Sequence, residues 1–368
     1  MLIYWLFLVM ALLTWVAASF NYKVVNINGY SEKRYSGIMA FVFFAVVTFF
    51  CGLRSAIADT GAYILGFNEY PSSIDQIVWS EAGKGKGFYF LSVLYKQFIS
   101  EDFHGWLFII ALISCGAVIL ALRKYSCSFG FSCYLFIATT TFTYLINGIR
   151  QFICISIMFL LTSYIVEKKF FKYVFWVLVL SLIHSSTLIM IPIYFIVKIK
   201  PFSGKTWLLI IGSLILGLSF SKLTPLMGAM LEDTSYSAYA DLMASGTGVN
   251  IIRVALAAVP LVLAFMGRHI IERRNNQIIK VATNMSIITF CLYIIAMFTN
   301  GMAVGRLLAF FEIYNIILIP WLVENIFEEK SRKLITILCV LFYLVFFYFQ
   351  MVITWNIGYE SDILHLFI

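Results

Sequence analysis

Long apolar blocks alternate with short polar stretches along this chain. Apolar runs cover about 2–20, 36–53, 104–122, 129–147, 150–166, 170–198, 206–220, 250–267, 281–299, 306–324 and 333–355. Each approaches the ~20 residues that carry an α-helix across a bilayer. The run at 170–198 is too long for one span and divides into two shorter segments meeting near His184. Residues 88–99 read as a half-buried hairpin or interfacial helix. The pattern predicts an all-α, polytopic integral membrane protein with about 10–12 transmembrane helices, some of them broken or re-entrant.

The first run, Leu2 to Phe20, has no positive residue ahead of it and has Lys23, Lys33 and Arg34 behind it. It therefore reads as a retained span and not as a signal peptide. Positive residues stay cytoplasmic, so this span runs from outside to inside. The same choice places Lys23/Lys33/Arg34, Arg123/Lys124, Lys168/Lys169/Lys172, Lys198/Lys200/Lys205, Arg268/Arg273/Arg274 and Lys330/Arg332/Lys333 inside together. The outer face then receives the two longest loops, 54–87 and 221–249, and a tail after Trp355. Within the single membrane domain 1–368, the first loop carries an interfacial segment to about 103. Loops of ~30 residues in a compact protein are usually functional.

Composition removes the competing classes. Of 368 residues, 62% are hydrophobic and only 12% charged, about half the charged share of a soluble domain. The net charge of +8 is spread in short clusters between apolar runs, which is topology and not a nucleic-acid surface. Aromatic residues, 18% of the chain, suit lipid-facing helix surfaces and headgroup belts, and no aromatic repeat indicates a β-barrel. The seven cysteines lie mostly inside apolar stretches without Cys-x-x-Cys or ligand spacing, so they read as buried thiols. The acidic pairs Glu101/Asp102 and Glu232/Asp233 do not form an Asp-x-Asp pattern, and neither a metal nor a cofactor is expected.

Against this background the charges left on the outer face stand out. They are Arg54, Arg150, Arg253 and Arg306, with His184 at the same level. Arg54 follows the exit of the second span, and the other three arginines open inward-running spans. A helix N-terminus offers unpaired N–H groups and partial positive charge, so an arginine there makes a site for an anion, a phosphate above all. Four converging arginines point to a diphosphate, although each taken alone also fits a headgroup anchor. "FTYLINGIRQFI" at 142–153 and "AMFTNGMAVGRLLAFF" at 296–311 both read apolar helix, Asn-Gly turn, then arginine. Asn147, Gln151 and Asn300 accompany these turns as candidate substrate contacts. No longer repeat is visible.

"CGLRSAIADTGAYILGFNEYP" at 51–71 is the densest polar stretch outside, with Arg54 and Asp59 followed by Thr60, Tyr63 and Asn68. Arginine can hold an anion while a nearby carboxylate accepts a proton from a hydroxyl, the pairing that sugar transfer requires. A structural Arg–Asp bridge fits the same residues. His184 stands beside two serines in an otherwise apolar run, where an ionisable residue is costly and marks function. "GKGKG" at 83–87 lacks Walker spacing and reads as a flexible loop.

These residues resemble the Wzy-type and EpsG-type polysaccharide polymerases of bacterial envelopes. The likeness lies in "GLRSAIADTGAYILGF" at 52–67, in Arg-Gln, basic loop and Ile-His-Ser-Ser across 147–195, and in "GRLLAFFEIYNIILIP" at 305–320. One departure is Ala58, where the family usually has glycine before the aspartate. The resemblance implies a GT-C-like fold of the metal-independent branch in the bacterial inner membrane, with its active site facing the periplasm. It implies an O-antigen or exopolysaccharide polymerase that joins oligosaccharide repeats carried on undecaprenyl diphosphate, which serves as donor and acceptor. A chain-length regulator and a flippase of the same pathway are the implied partners. On this reading Arg150, Arg306, His184 and Asp59 are catalytic. Arg54, Arg253, Asn147, Gln151, Tyr63, Asn300, Tyr236 and Tyr239 bind substrate, the last two with Asp241 in the 221–249 loop.

Two other classes fit a basic helical membrane protein. A lipid-linked oligosaccharide flippase would place polar residues near the midplane and carry paired repeats, whereas Glu312 is the main mid-span charge here. A membrane O-acyltransferase could use His184 as base, but acyl donors do not explain four outer arginines. The topology is testable by cysteine labelling. A cysteine introduced in the 240s is expected to react with an impermeant reagent in intact spheroplasts, and protection until lysis would refute the assignment.

Overall fold

The structure, a computed structural model, describes residues 1–20, 22–27, 30–35, 37–80, 85–231, 248–299 and 301–367. In lipid the backbone must satisfy its own hydrogen bonds, so apolar runs become helices. The order is α1 (Leu2–Phe20), α2 (Gly37–Gly52), α3 (Thr60–Glu69), α4 (Lys86–Phe98), α5 (Phe103–Tyr125), α6 (Phe129–Ala138), α7 (Ile149–Leu160), α8 (Ser163–Val166) and α9 (Phe170–Ser181). It continues with α10 (Met190–Ile196), α11 (Gly204–Leu231), α12 (Ile251–Met266), α13 (Arg268–Arg274), α14 (Gln277–Met297), α15 (Gly301–Glu312), α16 (Asn315–Ile326) and α17 (Glu329–Tyr348). A π-helical segment, Phe349–Trp355, extends α17.

Two small hairpins interrupt the expected all-helical chain. Strands β1 (Tyr22–Ile27) and β2 (Tyr30–Tyr35) pair antiparallel, with Lys23 opposite Arg34, and β3 (Glu360–Ser361) pairs with β4 (Leu366–Phe367). The segment at 88–99 is the helix α4 and not a hairpin. The loop expected from 221 begins later, because α11 runs through Leu231.

Among the described residues four helices are long and apolar enough to cross a membrane, or up to six if each bent pair is one span. Ten to twelve were expected from the runs. Part of the difference lies in the run at 129–147, where the backbone leaves the helix at Thr140. Thr139 and Thr143 donate to the carbonyls of Leu135 and Thr140 at 2.7 Å each, and Thr140 takes φ +61°. The run at 129–147 therefore yields only α6 and a short 3-10 turn. The 170–198 run divides at His184, as expected, between α9 and a 3-10 turn leading into α10.

The chain forms two compact units, Met1–Pro192 with Glu329–Ile368, and Ile193–Glu328. In the first, α1 packs along α6 and α2, α5 packs along α2 and α7, and α17 lies on α6. Small residues let backbones approach, as in membrane helix packing generally. Gly130 faces the Trp15 backbone, and Trp15 stacks on Phe131 with ring centroids 4.5 Å apart. In the second unit α14 is central, touching α11, α12, α15 and α16. The buried Asn284 donates to the carbonyls of Val197 and Ile199 at 2.8 and 2.7 Å. Large apolar side chains such as Phe171, Leu208 and Val345 remain exposed, which suits a lipid solvent and makes this a multi-pass membrane protein.

A methyl group added at Gly130 would lie 2.3 Å from the Cα of Trp15. Backbone cannot yield there, so Gly130→Ala should cost about 1–3 kcal/mol by overpacking. Thermal unfolding in detergent, with stability equal to wild type, would contradict this packing.

Candidate functional site

The exit of α2 supplies the centre of the first unit's polar cluster. Arg54 is 0% exposed, and its guanidinium donates from Nε to Thr60 Oγ1 at 3.0 Å and from Nη1 to the Cys51 carbonyl. Thr60 in turn donates to the Ile146 carbonyl at 2.9 Å. Burial pulls the guanidinium pKa down, while the neighbouring Cys51 and Asp59 act to raise it. A surface anion cannot reach this group as it stands; Arg54 holds a loop.

Asp59 completes the same junction. Its Oδ2 accepts the Gly148 N–H at 2.8 Å, so a carboxylate sits at the N-terminus of α7, where the helix dipole favours negative charge. Gly148 is the α7 N-cap at φ +75°, which glycine adopts at little cost, and it supplies the turn expected from Asn-Gly. Ala58, before Asp59, also lies in the left-handed region at φ +51°. The resembled motif has glycine at this position, and the backbone keeps the glycine conformation with alanine in place.

Arg150 follows directly as the second residue of α7. Its guanidinium carbon lies 5.6 Å from the Tyr63 ring centroid and 5.8 Å from that of Phe88. Aromatic faces attract cations without neutralising them. Its Nε is buried with no hydrogen-bond partner. Burial raises the Tyr70 phenol pKa, opposed by the charge of Arg150 and reinforced by Tyr89 and Tyr63. Arg150, Tyr89 and Tyr63 thus all lie within electrostatic reach of Tyr70. Tyr89, 3% exposed, also has a buried hydroxyl with no partner.

His184 joins the same unit from the break between α9 and α10. Its Nδ1 is 2.6 Å from Ser186 Oγ, which accepts from Gln151 Nε2 at 3.4 Å. Gln151 is therefore linked to the histidine through a serine that sequence reading noted only as a neighbour. The loop read as flexible also contributes, since the Gly87 N–H donates to the Leu182 carbonyl at 2.8 Å. Gly85 stands against Arg150. Asn147 is half-buried in the turn ahead of Gly148.

The remaining candidates belong to the second unit. Arg253 lies in the first turn of α12, behind an Asn250 cap that accepts from Ile252 N at 2.9 Å. Arg306 does not open its helix: α15 begins at Gly301, so the arginine falls in the second turn, exposed. The echo of the Asn-Gly-Arg pattern is one of residue order and not of helix position. Tyr293 donates to the Glu312 carboxylate at 3.3 Å, and Arg253 acts electrostatically on the same carboxylate. Asn300, Tyr236, Tyr239 and Asp241 lie outside the described residues.

None of the seven cysteines is in a disulfide; Cys51, Cys115, Cys133 and Cys154 are buried, and Cys127, Cys291 and Cys339 partly so. Among the described residues no group of His, Cys, Asp or Glu is arranged to hold a metal ion. The glycines that frame Arg150 separate two costs. A methyl at Gly87 would lie 2.9 Å from the Leu182 carbonyl group, and one at Gly85 would meet the mobile tip of Arg150 at 2.6 Å. Gly87→Ala should therefore lose about 1–3 kcal/mol of stability. Gly85→Ala should cost less than Gly87→Ala, because the atom it meets is the end of a side chain and not backbone. Equal losses in thermal unfolding would contradict this geometry.

No curated protein and no solved structure matches this chain. The model of the EpsG family matches residues 37–361, from the start of α2 into the C-terminal tail. That match spans the Arg54 loop, the Arg150 turn and the His184 break together, and the chain belongs to the EpsG family, the polysaccharide polymerase family that its motifs resemble.

Proposed function

We propose that this protein polymerises oligosaccharide repeats at the outer face of the bacterial inner membrane. It transfers the growing glycan from undecaprenyl diphosphate to a hydroxyl of an incoming lipid-linked repeat unit. The bond between the anomeric carbon and the diphosphate oxygen breaks, the acceptor hydroxyl oxygen forms the new glycosidic bond, and the hydroxyl proton passes to a protein base. Lipid diphosphate leaves with the bonding electron pair. The reading is supported by family membership and by a multi-pass helical fold.

The observation that carries the mechanism is the setting of Arg150. A partly buried cation at the mouth of α7, beside the Tyr63 and Phe88 rings and with a buried Nε that has no acceptor, is the arginine of this unit placed to meet an anion. In a site shielded by aromatic rings, such a donor meets developing charge without reorganising. His184, oriented by Ser186, is the nearer fit to the acceptor base, because Asp59 already accepts from Gly148. Tyr63 supplies a ring face for sugar. Arg54 supports the loop that carries Asp59 and leads into the helix bearing Tyr63. Arg306, one turn inside α15, keeps from the sequence argument only its charge among the outer-face arginines and is tested on its own.

Lysine keeps the charge of arginine but loses the planar fork. Purified Arg150→Lys should lose at least ~10²-fold in polymerisation of undecaprenyl-diphosphate repeat units, the scale for removing a preorganised donor. Arg306→Lys, assayed beside it, should lose a similar factor, whereas a headgroup anchor tolerates the change. His184→Ala and Asp59→Asn should insert normally but elongate slowly. Near-wild-type rates for Arg150→Lys at matched folding would refute the diphosphate role. Full elongation by both His184→Ala and Asp59→Asn would refute the acid–base assignment.

A further inference from the structure

The tail beyond Trp355 carries none of the residues that the transfer reaction uses, yet it is built into the same junction. Ser55 N donates to the Glu360 carbonyl at 2.8 Å, and Asp362 N donates to Ser55 Oγ at 2.8 Å. Ser361 Oγ donates to the Leu53 carbonyl, and Tyr359 OH donates to the Phe50 carbonyl at 2.8 Å. Leu53 and Ser55 are the residues on either side of Arg54. Tyr359 and Ser361 are 1% and 0% exposed, and the β3–β4 hairpin closes the segment on itself. At the other end of the chain, Tyr4 OH reaches the Gly358 carbonyl at 3.4 Å.

From this clasp a continuous set of bonds leads to the helix mouth. Arg54, fixed on both sides, bonds Thr60, and Thr60 bonds the Ile146 carbonyl. Asp59 holds the Gly148 N–H, and Arg150 follows two residues later. A loop with this task would be expected to be anchored from its own neighbourhood. Here its backbone is anchored about three hundred residues away in sequence.

We propose that Tyr359–Asp362 are positioning residues: by clamping the backbone around Arg54 they set the Asn147–Gly148 turn and hence where Arg150 points. The proposal rests on the polymerase reading for its effect on rate, and on geometry alone for its effect on the turn. Misplacement of a catalytic group by about 1 Å costs up to ~10²-fold, so loss of one clasp bond should lower kcat by about tenfold or more. KM for the lipid-linked repeat should change little, because binding does not require the aligned transition state.

Two measurements on the full-length protein in nanodiscs test it. The first is amide exchange at Gly148, which needs no activity. Ser361→Ala and Tyr359→Phe should speed exchange there by about tenfold, whereas Ile363→Ala, an exposed neighbour in the tail, should not. Unchanged Gly148 protection in both clasp variants would overturn the proposal, whatever the protein polymerises. The second is steady-state polymerisation per folded molecule. Ser361→Ala should lose kcat, and Ser361→Thr, which keeps the hydroxyl, should recover it. Wild-type kcat in Ser361→Ala, or a fall explained wholly by lost folded protein, would overturn the positioning role. If the wild type did not polymerise while the exchange result held, the polymerase reading would fail and the clasp would stand.

Discussion

A guanidinium with no exposed surface, Arg54, is the constraint around which the first unit is arranged. Moving a charge out of water is costly unless hydrogen bonds replace the lost solvation. The protein meets part of that requirement with hydrogen bonds to Thr60 and the Cys51 carbonyl and with the nearby charge of Asp59, while Nη2 stays without an acceptor. Two of these groups have a second duty, since Thr60 also bonds Ile146 and Asp59 bonds Gly148. The loop, the turn and the start of α7 are thereby fixed by one desolvated cation.

Environment separates Arg54 from Arg150 although both are arginines beside helix ends. Arg54 is fully buried, with Nε and Nη1 bonded to protein acceptors and Nη2 without one, whereas Arg150 is only partly buried. Arg150 has aromatic faces near its charge, and its Nε has no acceptor. The first arrangement fits support and the second fits contact with a ligand. The histidine at the α9–α10 break follows the same logic, because Ser186 fixes its ring and links it to Gln151, one residue from Arg150. Together these contacts bring five segments of the chain into one polar cluster within a family of polysaccharide polymerases.

The second unit is organised differently. Its polar contacts are spaced along α14, where Asn284 receives the backbone before α11 and Tyr293 bonds Glu312. Buried polar groups in membrane helices find partners, and those partners fix helix register. Arg253 lies behind a capped helix start and acts on Glu312, so this carboxylate has both a phenol donor and a cation nearby.

Membrane class, the break at His184 and the family likeness were legible in the residues themselves. Apolar length and local hydroxyls act over one helix turn to one span, so neighbours in sequence suffice. The glycine-like backbone at Ala58 was flagged by motif departure alone. Which arginine is buried could not be read that way, because exposure depends on what folds over a side chain. The clamping of Arg54 by Ser361 and Tyr359 joins residues about three hundred positions apart, and neither tail residue carries a local signal. The place of Arg306 was misjudged for a related reason: Asn-Gly marks a turn, but the first residue of α15 is set by helix packing. Likewise, runs of apolar residues gave the solvent of each segment, whereas the left-handed backbone at Thr140, which ends helix inside the 129–147 run, left no mark in the apolar pattern. Sequence determined what each segment would dissolve in and which chemistry it carried. Only tertiary structure decided which charge is fully desolvated as a support and which stays partly buried at a helix mouth, because that depends on partners brought together from distant parts of the chain.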